Sequence, residues 1–321
     1  MRSRARAWSA VAAGLVLVVL VVLAVPVGAG ALGVAQLVSF RAVLALGALV
    51  LAAALVAVPT TRRRLRPLVA VLAVGALAQV AVLVWRSVPL PAAPTQADDE
   101  VVELAFNTLD TVGPQELARL VLDQDADVVV LPETSRTTAD GVALLLRAAG
   151  RPVLVHAADS DVRGIAGTSL LVAADLGVYP DAQVLPTRLG SLRAEPADGG
   201  PVLVAAHPAA PITPGSMTTW RTETALVVAQ CASTPGAIVA GDLNATLDHP
   251  ALRDLGQCVD AARAAGAGAR GTWPSTVPSL LAAPIDHVLV DGRSWRVTGF
   301  EVLGRTGASD HRPVVARLVR R

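Results

Sequence analysis

Polar residues stand at the ends of one apolar run after another in the C-terminal two thirds of this chain. Asn107 closes VVELAF, Glu133 follows VVVLP, His207 closes VLVAA, and Asp242 and Asn244 follow AIVAG. Asp286 and His287 open the run VLV, and Ser309, Asp310 and His311 precede the last apolar run. Carboxylates and amides offer the oxygen ligands that a hard divalent cation prefers. Histidine can exchange a proton near neutral pH. Taken singly, each of these residues reads as a solvated loop residue or a cap. Ligand sites in α/β sheets collect where loops converge at strand ends, so the recurrence of acids, amides and two histidines at such ends points to one shared site.

The elements that must position them follow from hydrophobic periodicity. Strand-like runs fall at 101–106, 127–131, 152–156, 168–173, 202–206, 237–240, 285–290, 295–303 and 313–318. Helical patterns fall at 113–125, with Leu117, Leu120 and Val121 on one face, and at 139–149 and 217–230. The alternation predicts a layered α/β domain. No internal repeat is present.

The N-terminal part is a different material. Apolar runs at 9–25, 42–58 and 68–85 each span about 17–18 residues, near the lower limit for crossing a hydrocarbon layer. Residues 31–38 can lengthen the second. The expectation is a membrane region over 1–86 with three transmembrane helices, an exposed Pro- and Ala-rich linker over 87–100, and a catalytic domain over 101–321. Arg2, Arg4 and Arg6 and the cluster Arg62, Arg63, Arg64 and Arg66 mark the cytoplasmic ends. Three crossings then place the domain outside the cell, in a multi-pass protein of the cell membrane. A cleaved first segment would leave the domain on the same side. All 26 acidic residues and 18 of the 27 basic ones lie at or after Asp98, so that segment carries a net charge of −8. Such a surface disfavours general polyanion binding, which needs Lys and Arg to displace counterions. Every basic residue is Arg, which reads as base-composition bias. Cys231 and Cys258 are either disulfide-bonded, as an outside location permits, or two buried thiols.

The segments AFNTLD, LPETS, the strand ending in His207, GDLNATLDHP, IDHVLV and SDHRPVVARL resemble, in order and spacing, the endonuclease/exonuclease/phosphatase (DNase I-like) superfamily, in a membrane-anchored bacterial form. GDLN and the terminal SDH are its specific elements, and the resemblance spans residues 101–319. It implies a four-layer α/β sandwich with two central mixed sheets, here preceded by the three membrane helices. It also implies an enzyme hydrolysing phosphoesters with Mg²⁺, or Mn²⁺, as cofactor. Glu133 would be the main metal ligand, with Asn107 beside it and Asp310 contributing. His311 would be a base or phosphate contact oriented by Asp286. Asp242 would position or deprotonate the attacking water, Asn244 would hold water and phosphate, and His207 would contact the phosphate or assist the leaving group. Which of Asp242 and His311 takes the proton stays open. The substrate is a phosphate ester, of nucleic acid or of a lipid head group. Membrane lipid is the other partner, and no protein partner is inferred. Departures are Leu243 where the family usually has Phe, HPAAP after the His207 strand, and PETS in place of a Gln-Glu pair. A catalytically inactive binding module is the alternative from another class. A transporter fits badly, because the apolar runs offer no polar pathway.

Other residues read as structural. His249 suits a helix start, His156 a strand end, and His287 the face opposite Asp286. Arg136 suits a surface ion pair better than a phosphate contact. Trp273 is poised between packing on substrate and anchoring its Gly-rich loop. The 261–271 run reads as a helix end and loop rather than a phosphate cradle.

Overall fold

The computed structural model describes residues 27–58, 65–91 and 100–321, together with Gly14. Apart from Gly14, the first apolar run lies outside the described residues. The next two form helices α2 (Arg41–Ala57) and α3 (Arg66–Arg86), preceded by the short helix α1 (Val34–Ser39). Among the described residues only α3 is long and apolar enough to cross a membrane, and α2 is shorter at 17 residues. Of the three expected crossing helices, one meets the requirement of length and composition, one is shorter, and the first lies outside the described residues. Residues 31–38 do not lengthen α2. The chain breaks at Phe40, whose φ of −115° and ψ of 51° are not helical, so α1 is a separate turn-and-helix. The two longer helices pack through Leu72 and the small residues Ala48, Ala52 and Ala76, which let backbones approach. Leu46, Leu49, Val50, Val74 and Leu77 are exposed on their outer faces.

The linker expected over 87–100 is exposed at its start, residues 87–91, and is hydrogen-bonded there to the domain. The Leu90 N–H donates to the Ala264 carbonyl at 2.9 Å, and Arg263 donates to the Val88 carbonyl at 2.7 Å. Residues 92–99 lie outside the described residues.

From Glu100 onward the chain builds two six-stranded sheets. The first has the order β11 (Trp295–Val302), β12 (Val314–Arg320), β1 (Glu100–Ala105), β2 (Val128–Leu131), β4 (Thr168–Ala173), β3 (Val153–Ala158). The second has the order β5 (Ala182–Leu185), β6 (Ser191–Ala194), β7 (Leu203–Ala206), β8 (Ile238–Asp242), β10 (Asp286–Asp291), β9 (Cys258–Asp260). Both are mixed: β1 runs parallel to β2 and β7 to β8, while the other neighbours are antiparallel.

Period-two burial makes the layers. One face of β1, β2, β4 and β12 meets β6, β7, β8 and β10 in a shared core of Val130, Leu170, Leu192, Leu203, Ile238, Val288 and Val314. The opposite face of the first sheet packs on α4 (Pro114–Gln124) and α5 (Arg136–Ala148) through Leu104, Leu117, Val121, Val142 and Leu146. The outer face of the second sheet packs on α6 (Ser216–Ser233) through Val204, Trp220, Val227 and Val239. Helix, sheet, sheet, helix is the expected four-layer order. Pro114 suits the first turn of α4, and Ser135 caps α5 by accepting the Thr138 N–H at 3.3 Å. Cys231 and Cys258 are joined in a disulfide between α6 and β9.

Three strands escaped the periodicity. β5 is a half-exposed edge, β6 carries Arg193 amid its apolar residues, and β9 has only three residues.

Candidate active site

All eight residues singled out by type and spacing come to one end of the sandwich. Parallel pairing of β1 with β2 puts Asn107 and Glu133 side by side just past the strand ends. Parallel pairing of β7 with β8 does the same for His207 and Asp242. Antiparallel register sets Asp286 directly opposite Asp242. The loop before β12 brings Asp310 and His311 across from β1, tied there by the Ser309 hydroxyl, which donates to the Asn107 carbonyl at 2.7 Å.

One amide joins the two halves. Asn107 Nδ2 donates to Glu133 Oε1 at 3.0 Å and to Asp242 Oδ2 at 3.1 Å. The amide cannot turn over without loss, because its oxygen accepts the Leu109 N–H at 3.0 Å. His207 Nε2 stands 3.9 Å from both Glu133 Oε1 and Asp242 Oδ2. His311 donates from Nδ1 to Asp286 Oδ2 at 2.9 Å and points Nε2 at Asp242 Oδ2, 3.7 Å away. Asp310 Oδ1 lies 4.0 Å from that same nitrogen. The Asn244 N–H donates to Asp242 Oδ1 at 2.8 Å, and its side-chain amide donates to the Pro208 carbonyl at 3.1 Å.

The local backbone is specialised for this. Leu109, Asp110, Glu133 and Asn244 have φ between 47° and 53°, a left-handed conformation that non-glycine residues seldom adopt and that clusters at functional sites. Gly241 has φ 137°, and a Cβ there would lie 2.1 Å from the Ala206 carbonyl oxygen. The glycine of GDLN is therefore what lets β8 approach β7 closely beside the site.

Electrostatics separate the two histidines. His207 is buried, and burial, aided by the charge of His311, lowers it to about 4 against the pull of Asp242. It is neutral. For His311, burial opposes charge, but Asp286, Asp242 and the hydrogen bond from Asp286 prevail and raise it to about 10. It is an imidazolium at neutral pH. Burial raises the carboxyl of Asp242, as does like-charged Asp286, against the pull of both histidines. Burial also raises Glu133, with Asn107 opposing.

Donor atoms of Asp242, Asp286 and His311 fall within 4.8 Å of one another. Within this trio His311 is hydrogen-bonded to Asp286, and its other nitrogen faces Asp242 at 3.7 Å. A cation fits better on the Glu133 and Asp310 side. Asp310 Oδ1 is buried there without a hydrogen-bond partner, while Oδ2 accepts the Trp273 indole N–H at 2.8 Å. Several carboxylates face one another there with a single protonated partner among them, and a hard cation with oxygen ligands answers that charge.

Residues outside this group take structural roles. His249 Nδ1 accepts the Thr246 N–H at 2.7 Å, and its ring meets Trp220 edge-on at 5.0 Å between centroids. His287 faces away and binds Asp260 at 2.7 Å. His156 contacts the Tyr179 carbonyl at 3.0 Å, and Arg136 is exposed, 3.8 Å from Asp140. A cleft of about 470 Å³ lined by Arg136, His156 and Tyr179 contains none of the eight residues. Trp273 holds Asp310 and so belongs to the site. Glu223 was not anticipated: its carboxylate accepts the N–H groups of Ala209 at 2.7 Å and Arg188 at 3.1 Å, fixing the loop after His207. No sequence signal marks it, because it sits on α6 far from any strand end.

Two mixed sheets face to face, with acids, amides and histidines at one end, define a phosphoesterase-type α/β sandwich. The chain belongs to the endonuclease/exonuclease/phosphatase family, whose model matches residues 105–311. Members of that family are hydrolases acting on phosphoester bonds and depend on a divalent metal. No curated protein matches the chain. Among solved structures, an endonuclease/exonuclease/phosphatase from Beutenbergia cavernae is 19% identical with a TM-score of 0.52, covering 70% of this chain and 72% of that one. One from Bacteroides vulgatus is 17% identical with a TM-score of 0.52, covering 70% and 100%. D. rerio TDP2 complexed with a single-strand DNA product is 17% identical with a TM-score of 0.52, covering 69% and 99%. These likenesses establish the fold.

Proposed function

We propose that this protein is a divalent-metal-dependent hydrolase of phosphoester bonds, tethered by its apolar helices to the outer face of the cytoplasmic membrane. The observation that carries the reading is the Asp286–His311 pair aimed at Asp242, opposite a Glu133 that Asn107 holds from the other side. The outside location is supported by the arginine distribution and by the Cys231–Cys258 disulfide, a bond that persists in oxidising compartments.

Glu133 would hold the cation, with Asp310 and Asn107 beside it, and Mg²⁺ or Mn²⁺ suits such oxygen donors. When bound, the ion polarises a phosphoryl oxygen and stabilises charge on the leaving oxygen. Asp242 is the base. Its carboxylate stands among donors that can hold a water, while His311, bonded through Nδ1 to Asp286, is placed to stay charged and donate from Nε2. The water oxygen forms a bond to phosphorus, its proton passes to Asp242, and the bond from phosphorus to the leaving oxygen breaks. His311 donates from Nε2 to a phosphoryl oxygen, and Asp286 keeps it charged and oriented. Asn244 offers its remaining N–H to the same phosphate. Neutral His207 hydrogen-bonds the phosphate or the departing oxygen. The class admits nucleic-acid strands and lipid head groups. The net charge of −8 after Asp98 weighs against avid binding of duplex nucleic acid.

The test is turnover of a chromogenic phosphodiester by the full chain in detergent, with Mg²⁺, with Mn²⁺ and with EDTA. Metal-dependent turnover is expected, falling about a hundredfold or more in Asp242→Asn and in His311→Gln. Turnover that survives EDTA, or that is unchanged in both variants, refutes the reading.

A further inference from the structure

The helix pair does not stand apart from the catalytic domain. The Asp248 carboxylate, in the loop that continues from Asn244, is gripped by arginines from both helices. Arg41, at the start of α2, donates from Nε to Oδ2 at 2.8 Å and from Nη2 to Oδ1 at 2.5 Å. Arg86, at the end of α3, donates from Nη2 to Oδ1 at 2.8 Å. Gln79 accepts from the remaining arm of Arg41. The side chains of both arginines and of Asp248 are no more than 5% exposed. Burial alone would raise the Asp248 carboxyl, but the two arginines hold it below its ordinary value. This is a desolvated, two-sided, charge-assisted joint, unlike a screened surface pair.

The neighbouring contacts fall on the same edge of the domain. His249 reaches the Ala35 carbonyl at 3.0 Å, and Gln36 donates to the Pro211 carbonyl. Phe40 packs on Trp273 with ring centroids 6.1 Å apart. Trp273 in turn holds Asp310. The loops contacted are those that follow His207 and Asn244 and the one that precedes Asp286. They carry the second sheet's share of the site. Both α2 and α3 begin or end at this joint, beside the loops that carry the second sheet's share of the site. Exposed apolar side chains accompany it: Leu37 at 46%, Leu280 at 57% and Ile212 at 77%.

We propose that Arg41, Arg86 and Asp248 form a joint that holds the mouth of the site against the bilayer surface, and that this selects phosphoesters displayed at that surface over those free in solution. The proposal rests on the membrane-tethered hydrolase reading above. Arg41, Arg86 and Asp248 are positioning residues: they touch no reacting atom and act through the orientation of the domain.

The test uses the full chain reconstituted in phosphatidylcholine vesicles. One chromogenic phosphodiester is supplied in two forms, on a lipid anchor within the vesicle and as a water-soluble short-chain analogue. The expected kcat/KM for the anchored form exceeds that for the soluble form by about tenfold or more, since anchoring raises local concentration only where geometry permits engagement. Asp248→Asn and Arg41→Gln are expected to lose most of that preference while turning over the soluble form within about twofold of the wild type, which also reports that the domain is folded. A readout independent of turnover uses Ile212→Cys. The chain's two native cysteines are bonded to each other, so a dye placed there is unique. A quencher carried by lipid should quench the dye, and adding Asp248→Asn should relieve the quenching. Equal kcat/KM for the two forms, a preference that survives in Asp248→Asn, or an unquenched dye overturns the proposal. A quenched dye with no turnover of either form supports the orientation and overturns the hydrolase reading and the selectivity built on it.

Discussion

Replacing Glu103 by Gln should make the protein more stable, and increasingly so as the pH rises. Glu103 lies on β1 between Val101 and Ala105, whose side chains point into the core between the sheets. Strand periodicity sends Glu103 to the same face. It is 1% exposed, and neither carboxylate oxygen has a hydrogen-bond partner. Burial, with like-charged Asp127 nearby, raises its pKa well above the ordinary 4.5. Below about pH 4.5 the carboxyl is protonated in both the folded and the unfolded chain, and the group adds no pH dependence. Above that value the unfolded chain releases the proton and the folded one keeps it. Stability therefore falls by about 1.4 kcal/mol per pH unit until the folded-state pKa is reached. Glutamine keeps the shape and does not titrate, so the difference between variant and wild type should grow by about that amount from pH 5 to pH 6. For a domain of this size it corresponds to about 3–5 °C in Tm. Urea unfolding of both chains in detergent at several pH values measures it. Parallel stability curves from pH 4 to 7 would refute the placement of an ionisable, unpaired carboxyl in the inter-sheet core.

Two further outcomes follow from the same structure. Gly241→Ala places a methyl group 2.1 Å from the Ala206 carbonyl oxygen at a φ of 137°. It should cost about 2–4 kcal/mol in urea unfolding and lower turnover as β8 is displaced, and a loss under about 0.5 kcal/mol would contradict the close approach of the two strands. Reducing the Cys231–Cys258 disulfide opens a loop closed across 27 positions of sequence. Chain entropy puts its contribution at about 3–4 kcal/mol, so unfolding with and without dithiothreitol should differ by that order, and coincident curves would show that the bond constrains nothing.

The sequence was most legible where local pattern and tertiary role coincide. The run Val128–Leu131 is apolar because it is buried on both faces, and the register of its neighbours follows. The polar residues that punctuate such runs were readable as a site for the same reason: an acid at the end of a buried strand has few roles other than capping or function. Legibility failed where partners come from far along the chain. Asp248 in LDHP, Arg41 and Arg86 carry no local mark of a shared role. Only the fold shows that all three share one buried joint. Likewise Glu223 falls on the buried face of α6, three residues after Trp220 and four before Val227, and only the tertiary contact with Ala209 and Arg188 gives its charge a task. Phe40 has a non-helical backbone between α1 and α2 and packs on Trp273, a partner far along the chain.

Conflict between local preference and observed backbone is itself informative. Five non-glycine residues among those described have positive φ, and four of them, Leu109, Asp110, Glu133 and Asn244, lie in the loops after β1, β2 and β8. A strand delivers side chains alternately to its two faces, neither of which is the sheet's end. Presenting Glu133 and Asn244 to a point beyond the strand ends requires the chain to turn sharply within one or two residues. The left-handed conformation does this, at about 1–3 kcal/mol for each such residue. The hydrogen bonds from Asn107 to Glu133 and from the Asn244 N–H to Asp242 offset part of that cost, and they also hold the site in shape before substrate arrives. Strain and preorganisation are thus two descriptions of the same four loop positions.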